Sequence, residues 1–132
     1  MRLKNIGISS GLAAGMSLFV WASEDAPDFH KKWMKDAGEY MGKLRKGVEV
    51  EQSATSMAEV MKQTQGFWAK RTSDVAVKSC EDAVSESMKI VAAAKAGDKA
   101  GISASLKGVG AACKSCHDMH REKISETEYR IK

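Results

Sequence analysis

The three cysteines of this 132-residue chain are unevenly placed: Cys113 and Cys116 lie three positions apart with His117 directly behind them, and Cys80 stands alone. Closely spaced cysteines serve zinc sites, redox disulfides and covalent haem. On a helix, positions i, i+3 and i+4 project from one face. The two thiols can therefore meet the two vinyl groups at a porphyrin edge, with the imidazole, one turn beyond the first cysteine, beneath the iron. C-x-x-C-H is the attachment pattern of c-type haem. Zinc needs a fourth ligand, for which Cys80, His30 and His120 are the spare candidates. A thioredoxin-type disulfide needs a βαβ context, and no such pattern precedes the motif.

The elements that must position this cluster read as helices. Past residue 22, strand signals are scarce, Ala, Lys, Glu and Met are plentiful, and Pro27 is the single proline, a pattern that predicts an all-α chain. A first helix is expected from about Asp25–Pro27 to Lys46, stopped by Gly47. Its inward stripe is Phe29, Trp33, Ala37, Tyr40 and Leu44, with Met34, Met41 and Val48 alongside. A second helix fits Ser53 to Gln65, ended by Gly66, and the following linker, with Phe67 and Trp68, is expected to pack against something. A third, capped by Thr72, Ser73 or Asp74, runs to Ala96 with Val77, Cys80, Val84, Met88 and Val91 inward. Gly97 and Asp98 close it and open a fourth, which carries Cys113, Cys116 and His117 and reaches Ile124. Short links between amphipathic helices imply an antiparallel four-helix bundle, with covalently bound haem near the C-terminal end of the fourth helix.

Residues 1–22, MRLKNIGISSGLAAGMSLFVWA, place Arg2 and Lys4 before an acid-free, mostly apolar run. That is the build of a cleaved signal peptide. The run is interrupted by Ser9, Ser10 and Ser17 and is marginal for a membrane anchor. The expected mature domain is residues 23–132, exported to the periplasm, where free thiols tend to oxidise unless occupied. Of 21 Lys+Arg, two belong to the leader, which leaves 19 against 17 Asp+Glu. So small an excess, dispersed along mixed stretches, forms no stripe for nucleic acid, and no stable membrane insertion is expected.

The C-terminal stretch 97-GDKAGISASLKGVGAACKSCHDMHREK-123 resembles the last helix of the class II cytochromes c, the cytochrome c-prime family. In 30-HKKWMKDAGEYMGKL-44, Met34 falls where low-spin members have a methionine ligand and high-spin members a non-coordinating apolar residue. The resemblance covers residues 25–124. It implies one haem c on Cys113 and Cys116, with His117 and Met34 as axial ligands and His30, Trp33 and Arg121 as further pocket residues. Topology also favours Met34, because the start of the first helix and the end of the fourth lie at one end of an up-down-up-down bundle. Met41 lies about 10 Å further along the axis, Met57 and Met88 fall toward the opposite end, and Met61 is on the haem side. A core methionine merely filling space is the alternative.

Two positions depart from the family. An arginine available to a haem propionate is replaced by His30, which a nearby propionate should hold protonated with a raised pKa; a solvent-facing histidine with no role is the alternative. His120 replaces an aromatic residue and is expected at the haem rim. Cys80 reads as a small buried hydrophobe. The implied function is a one-electron carrier with a six-coordinate His/Met haem, not an enzyme, meeting redox proteins in transient contacts, with homodimerisation a further option. The rival is a five-coordinate, high-spin cytochrome c-prime that binds nitric oxide or carbon monoxide, with Arg121 shaping the proximal pocket. A haemless thiol or zinc protein is the third reading.

Overall fold

The computed structural model describes residues 23–132, so the expected signal peptide lies outside the described residues. The chain runs β1 (Glu24–Asp25), α1 (Asp28–Lys46), α2 (Val50–Lys70), α3 (Asp74–Ala96), α4 (Lys99–His120), β2 (Arg121–Lys123) and β3 (Tyr129–Ile131). Four helices of 19 to 23 residues, each about 30 Å long, form the bundle. No described helix is long and apolar enough to cross a membrane.

Local chemistry sets most helix ends. Pro27 precedes α1, with Asp28 in the first turn beside the helix's positive end. Gly47 stops α1 in a left-handed conformation, φ 68°, as its N–H and that of Val48 turn back to the carbonyls of Leu44 and Lys43. The Ser73 hydroxyl accepts from the Ala76 amide at 3.2 Å and caps α3. Gly97, also left-handed, ends α3, and the Asp98 carboxylate accepts from the Gly101 amide at 2.9 Å to start α4.

Three boundaries differ from expectation, the first being that α2 starts at Val50 rather than Ser53. Gly66 does not end α2, which continues to Lys70 and carries Phe67 and Trp68 within the helix rather than in a linker. An interior glycine costs about 1 kcal/mol, and burying Trp68, 3% exposed, outweighs it. At the other end, α4 stops at His120 rather than Ile124, and the chain turns into a hairpin. The hairpin's β3 pairs antiparallel with β2 on one side and with β1 on the other, a three-stranded sheet absent from the all-helical expectation. Arg130 reinforces it, donating to the Ser23 hydroxyl and carbonyl and pairing with Asp25 at 3.0 Å. Both chain ends of the described domain are thereby tied at one end of the bundle.

α1 packs on α2, α2 on α3 and α3 on α4, while α1 and α4 stand apart across a cavity. The main core gathers Met41, Leu44, Met57, Val60, Met61, Ile90 and Val109. A second cluster beside the sheet joins Ala26, Trp68, Ala76, Cys80 and Ile131. Three expected core residues are instead exposed: Phe29, Val48 and Met88. Phe29 lies on the α2-facing flank of α1, tilted against Trp33 and edge-on to Phe67, so its stripe is wider than the contact. Val48 falls in the turn after α1, and Met88 is followed by Ile90 and Val91, which take the inward positions of α3.

Candidate cofactor site

The space between α1 and α4 is a cavity of about 630 Å3. From α4 it is bordered by Cys113, Cys116, His117 and His120; from α1 by His30, Met34, Ala37 and Met41; from α2 and α3 by Met61, Trp68 and Cys80; and from the hairpin by Arg121, Tyr129 and Ile131. The volume lies within the roughly 300–1,000 Å3 typical of small-molecule sites. Gly38 and Gly110 border it from opposite helices, and neither has a neighbouring heavy atom within 4 Å of where a Cβ would stand. Small residues therefore keep the slot wide between the two helices.

Cys113, Cys116 and His117 share the half-buried face of α4 that their spacing predicts. Burial pushes all three thiols up, Cys116 to about 11 and Cys80 to about 12. For Cys113 the rise is opposed by the Arg45 guanidinium. These sulfurs are neutral thiols at ordinary pH, and none is in a disulfide. Burial lowers the His117 pKa, helped by the Arg121 guanidinium and opposed by the Asp118 carboxylate, so the imidazole is neutral and keeps a lone pair for a ligand. Met34 borders the same cavity from the opposite helix. So do Met41 and Met61; Met41 was expected too far along α1, but the cavity is long enough to reach it. Trp33 packs between Phe29 and His30 and does not border the cavity.

His30 corrects a sequence expectation. It is not solvent-facing: it is 5% exposed, in an aromatic nest of Phe67, Trp68 and Tyr129, and its Nδ1 shares a 2.8 Å hydrogen bond with the Tyr129 hydroxyl. Burial, followed by the charges of Arg71 and His117, pulls its pKa down to about 4. His30 Nε2 and Trp68 Nε1 are both buried with no hydrogen-bond partner among the described residues, and both side chains border the cavity. Buried polar atoms left unpaired call for an explanation such as a missing ligand or water.

His120 stacks on Trp68 with ring centres 4.1 Å apart. Its Nδ1 donates to the Lys132 carbonyl at 2.8 Å, so in the neutral ring Nε2 accepts from the Ser73 hydroxyl at 2.7 Å. The residue borders the cavity, but it also bolts α4, the start of α3 and the chain end together. Cys80 is 2% exposed, the small buried residue its stripe implied.

Tyr129 and Ile131 are cavity residues that sequence reasoning missed. Ile131 is an isolated apolar residue in a polar tail, and the alternation Tyr129, Arg130, Ile131 is the only strand-like signal there. Among the described residues no three His, Cys, Asp or Glu side chains converge tightly enough to hold a bare metal ion. What the cavity offers includes the thiols of Cys113 and Cys116 and the imidazoles of His117 and His120 on the α4 wall, and the thioethers of Met34 and Met41 with the His30 imidazole on the α1 wall. No family model, curated protein or solved structure matches the chain.

Proposed function

We propose that the chain is an exported c-type cytochrome that carries single electrons through one haem c held by Cys113 and Cys116, with His117 and Met34 on opposite sides of the iron. The observation that carries this reading is the convergence of the C-x-x-C-H face of α4 and Met34 of α1 on one cavity of about 630 Å3. The donor set fits: two thiols suited to thioether anchorage, a neutral imidazole and a methionine sulfur. The lack of a convergent three-ligand cluster among the described residues disfavours the zinc alternative.

Bound there, the haem supplies a reversible one-electron couple, and a methionine ligand favours its reduced state relative to a second histidine. The protein's own part is to hold His117 neutral by burial, to present Met34 from a helix tied to α4 through the sheet, and to exclude water with Met61, Trp68 and Ile131. The open slot at Gly38 and Gly110 leaves a route for electron exchange with partner proteins in small, transient contacts.

The test is acid-acetone extraction and an optical spectrum of the exported protein. Haem that resists extraction, together with sharp low-spin bands and a methionine-to-iron charge-transfer feature, is expected. Loss of non-extractable haem is expected in the variant carrying both Cys113→Ala and Cys116→Ala. A high-spin spectrum moves the assignment to a five-coordinate binder of nitric oxide or carbon monoxide; a haem-free protein refutes both.

A further inference from the structure

Arg121 is a cation at the cavity wall with no ion-pair partner among the described residues. It begins β2, is half-buried and holds its guanidinium carbon 5.7 Å from the centre of the Tyr129 ring. No ion pair among the described residues includes it: Asp118, one turn back, is taken by Lys114 at 2.6 Å, and Asp25 is taken by Arg130. A half-buried guanidinium presents a planar fork of donors that matches a carboxylate.

We propose that Arg121, together with the Tyr129 hydroxyl, holds a carboxylate of the bound cofactor, which makes the C-terminal hairpin part of the binding site. The inference rests on the haem reading above and on porphyrin chemistry, in which the vinyl edge captured by thiols is opposite the edge that bears the two propionates. Both cysteines precede His117 along α4, so the thioether edge faces back along the helix and the carboxylate edge faces forward, toward the residues that follow His117. Those of them that border the cavity are Asp118, whose carboxylate is paired with Lys114, His120, Arg121 and, from the hairpin, Tyr129 and Ile131. Arg45, the other cavity-lining arginine, is at the thioether end, where its charge acts on Cys113. In this arrangement His30 donates from Nδ1 to the Tyr129 oxygen, and the hydroxyl, which has a single proton, donates onward to the carboxylate.

The experiment compares holoproteins of wild type, Arg121→Gln, Arg121→Lys, Tyr129→Phe and Arg45→Gln by the propionate bending mode in resonance Raman and by midpoint potential at pH 7. Arg121→Gln should shift the bending mode and lower the potential, because an unneutralised carboxylate favours the ferric state. Arg121→Lys should keep the potential, since the charge stays, while still shifting the mode, since the fork is lost. Tyr129→Phe should shift the mode alone, and Arg45→Gln should leave the bending mode unchanged. Covalent haem with an unchanged bending mode in both Arg121→Gln and Tyr129→Phe overturns the proposal and leaves the haem reading standing. A shift in Arg45→Gln instead would show that the carboxylate edge points the other way and also overturns it. A wild-type protein without covalent haem removes the reading on which the proposal depends.

Discussion

Acidification should destabilise this protein through His30 in a way that one substitution can isolate. The imidazole ordinarily titrates at 6.5, and in the folded chain its pKa falls to about 4, with burial the largest cause and the charges of Arg71 and His117 adding to it. Between those two values the unfolded chain binds a proton that the folded chain refuses. The stabilising contribution is therefore complete above pH 6.5 and is lost as pH falls through about 4. At roughly 1.4 kcal/mol per pH unit the gap amounts to at most about 3 kcal/mol, of which about 2 kcal/mol is gone by pH 5. The comparison is wild type against His30→Gln, which has no titrating group there and keeps an amide able to reach the Tyr129 hydroxyl. Guanidinium chloride unfolding, followed by far-UV circular dichroism at several pH values from 7 to 4, gives the two stability curves. Other titrating groups cancel in their difference, so wild type should lose stability relative to His30→Gln as pH falls. Parallel curves over the whole range would refute the argument and would mean that the folded chain accommodates a protonated His30.

Met34→Ala should convert a low-spin spectrum to high spin and let carbon monoxide bind the reduced protein; an unchanged low-spin spectrum would shift attention to Met41, Met61 and His30 around the same cavity. Ile131→Ala removes a side chain only 3% exposed, packed among Ala26, Trp68, Ala76 and Cys80, and should cost about 2–5 kcal/mol in denaturant unfolding. A cost below about 1 kcal/mol would show that the hairpin is loosely attached. Cys80, buried and with its thiol pushed up to about 12, should resist alkylation by iodoacetamide at pH 8 until denaturant is added, as mass spectrometry of the tryptic peptide would show. Rapid labelling of the native protein would contradict the burial.

What the sequence alone determined here is what short-range physics encodes. Ser73, Gly97 and Asp98 announce helix ends because a hydroxyl, a missing side chain and a carboxylate satisfy backbone groups within a few residues of themselves. The shared face of Cys113, Cys116 and His117 follows from helix periodicity, and the same-end placement of Met34 follows from the short links of the bundle. Tertiary structure decided whatever depends on partners remote in the chain. Gly66 reads locally as a stop, but α2 runs through it because Trp68 gains more by packing under Ile131 and Ala76 than the glycine loses. The strands β1, β2 and β3 are too short to declare themselves: β2 and β3 pair as a local hairpin, and β1 exists only by pairing with β3 from the other end of the described domain. The same holds for His30, whose partner Tyr129 is 99 positions away. A histidine's pKa is set by its surroundings rather than by its neighbours in sequence, so the burial that lowers it here could not be read from residues 26–34.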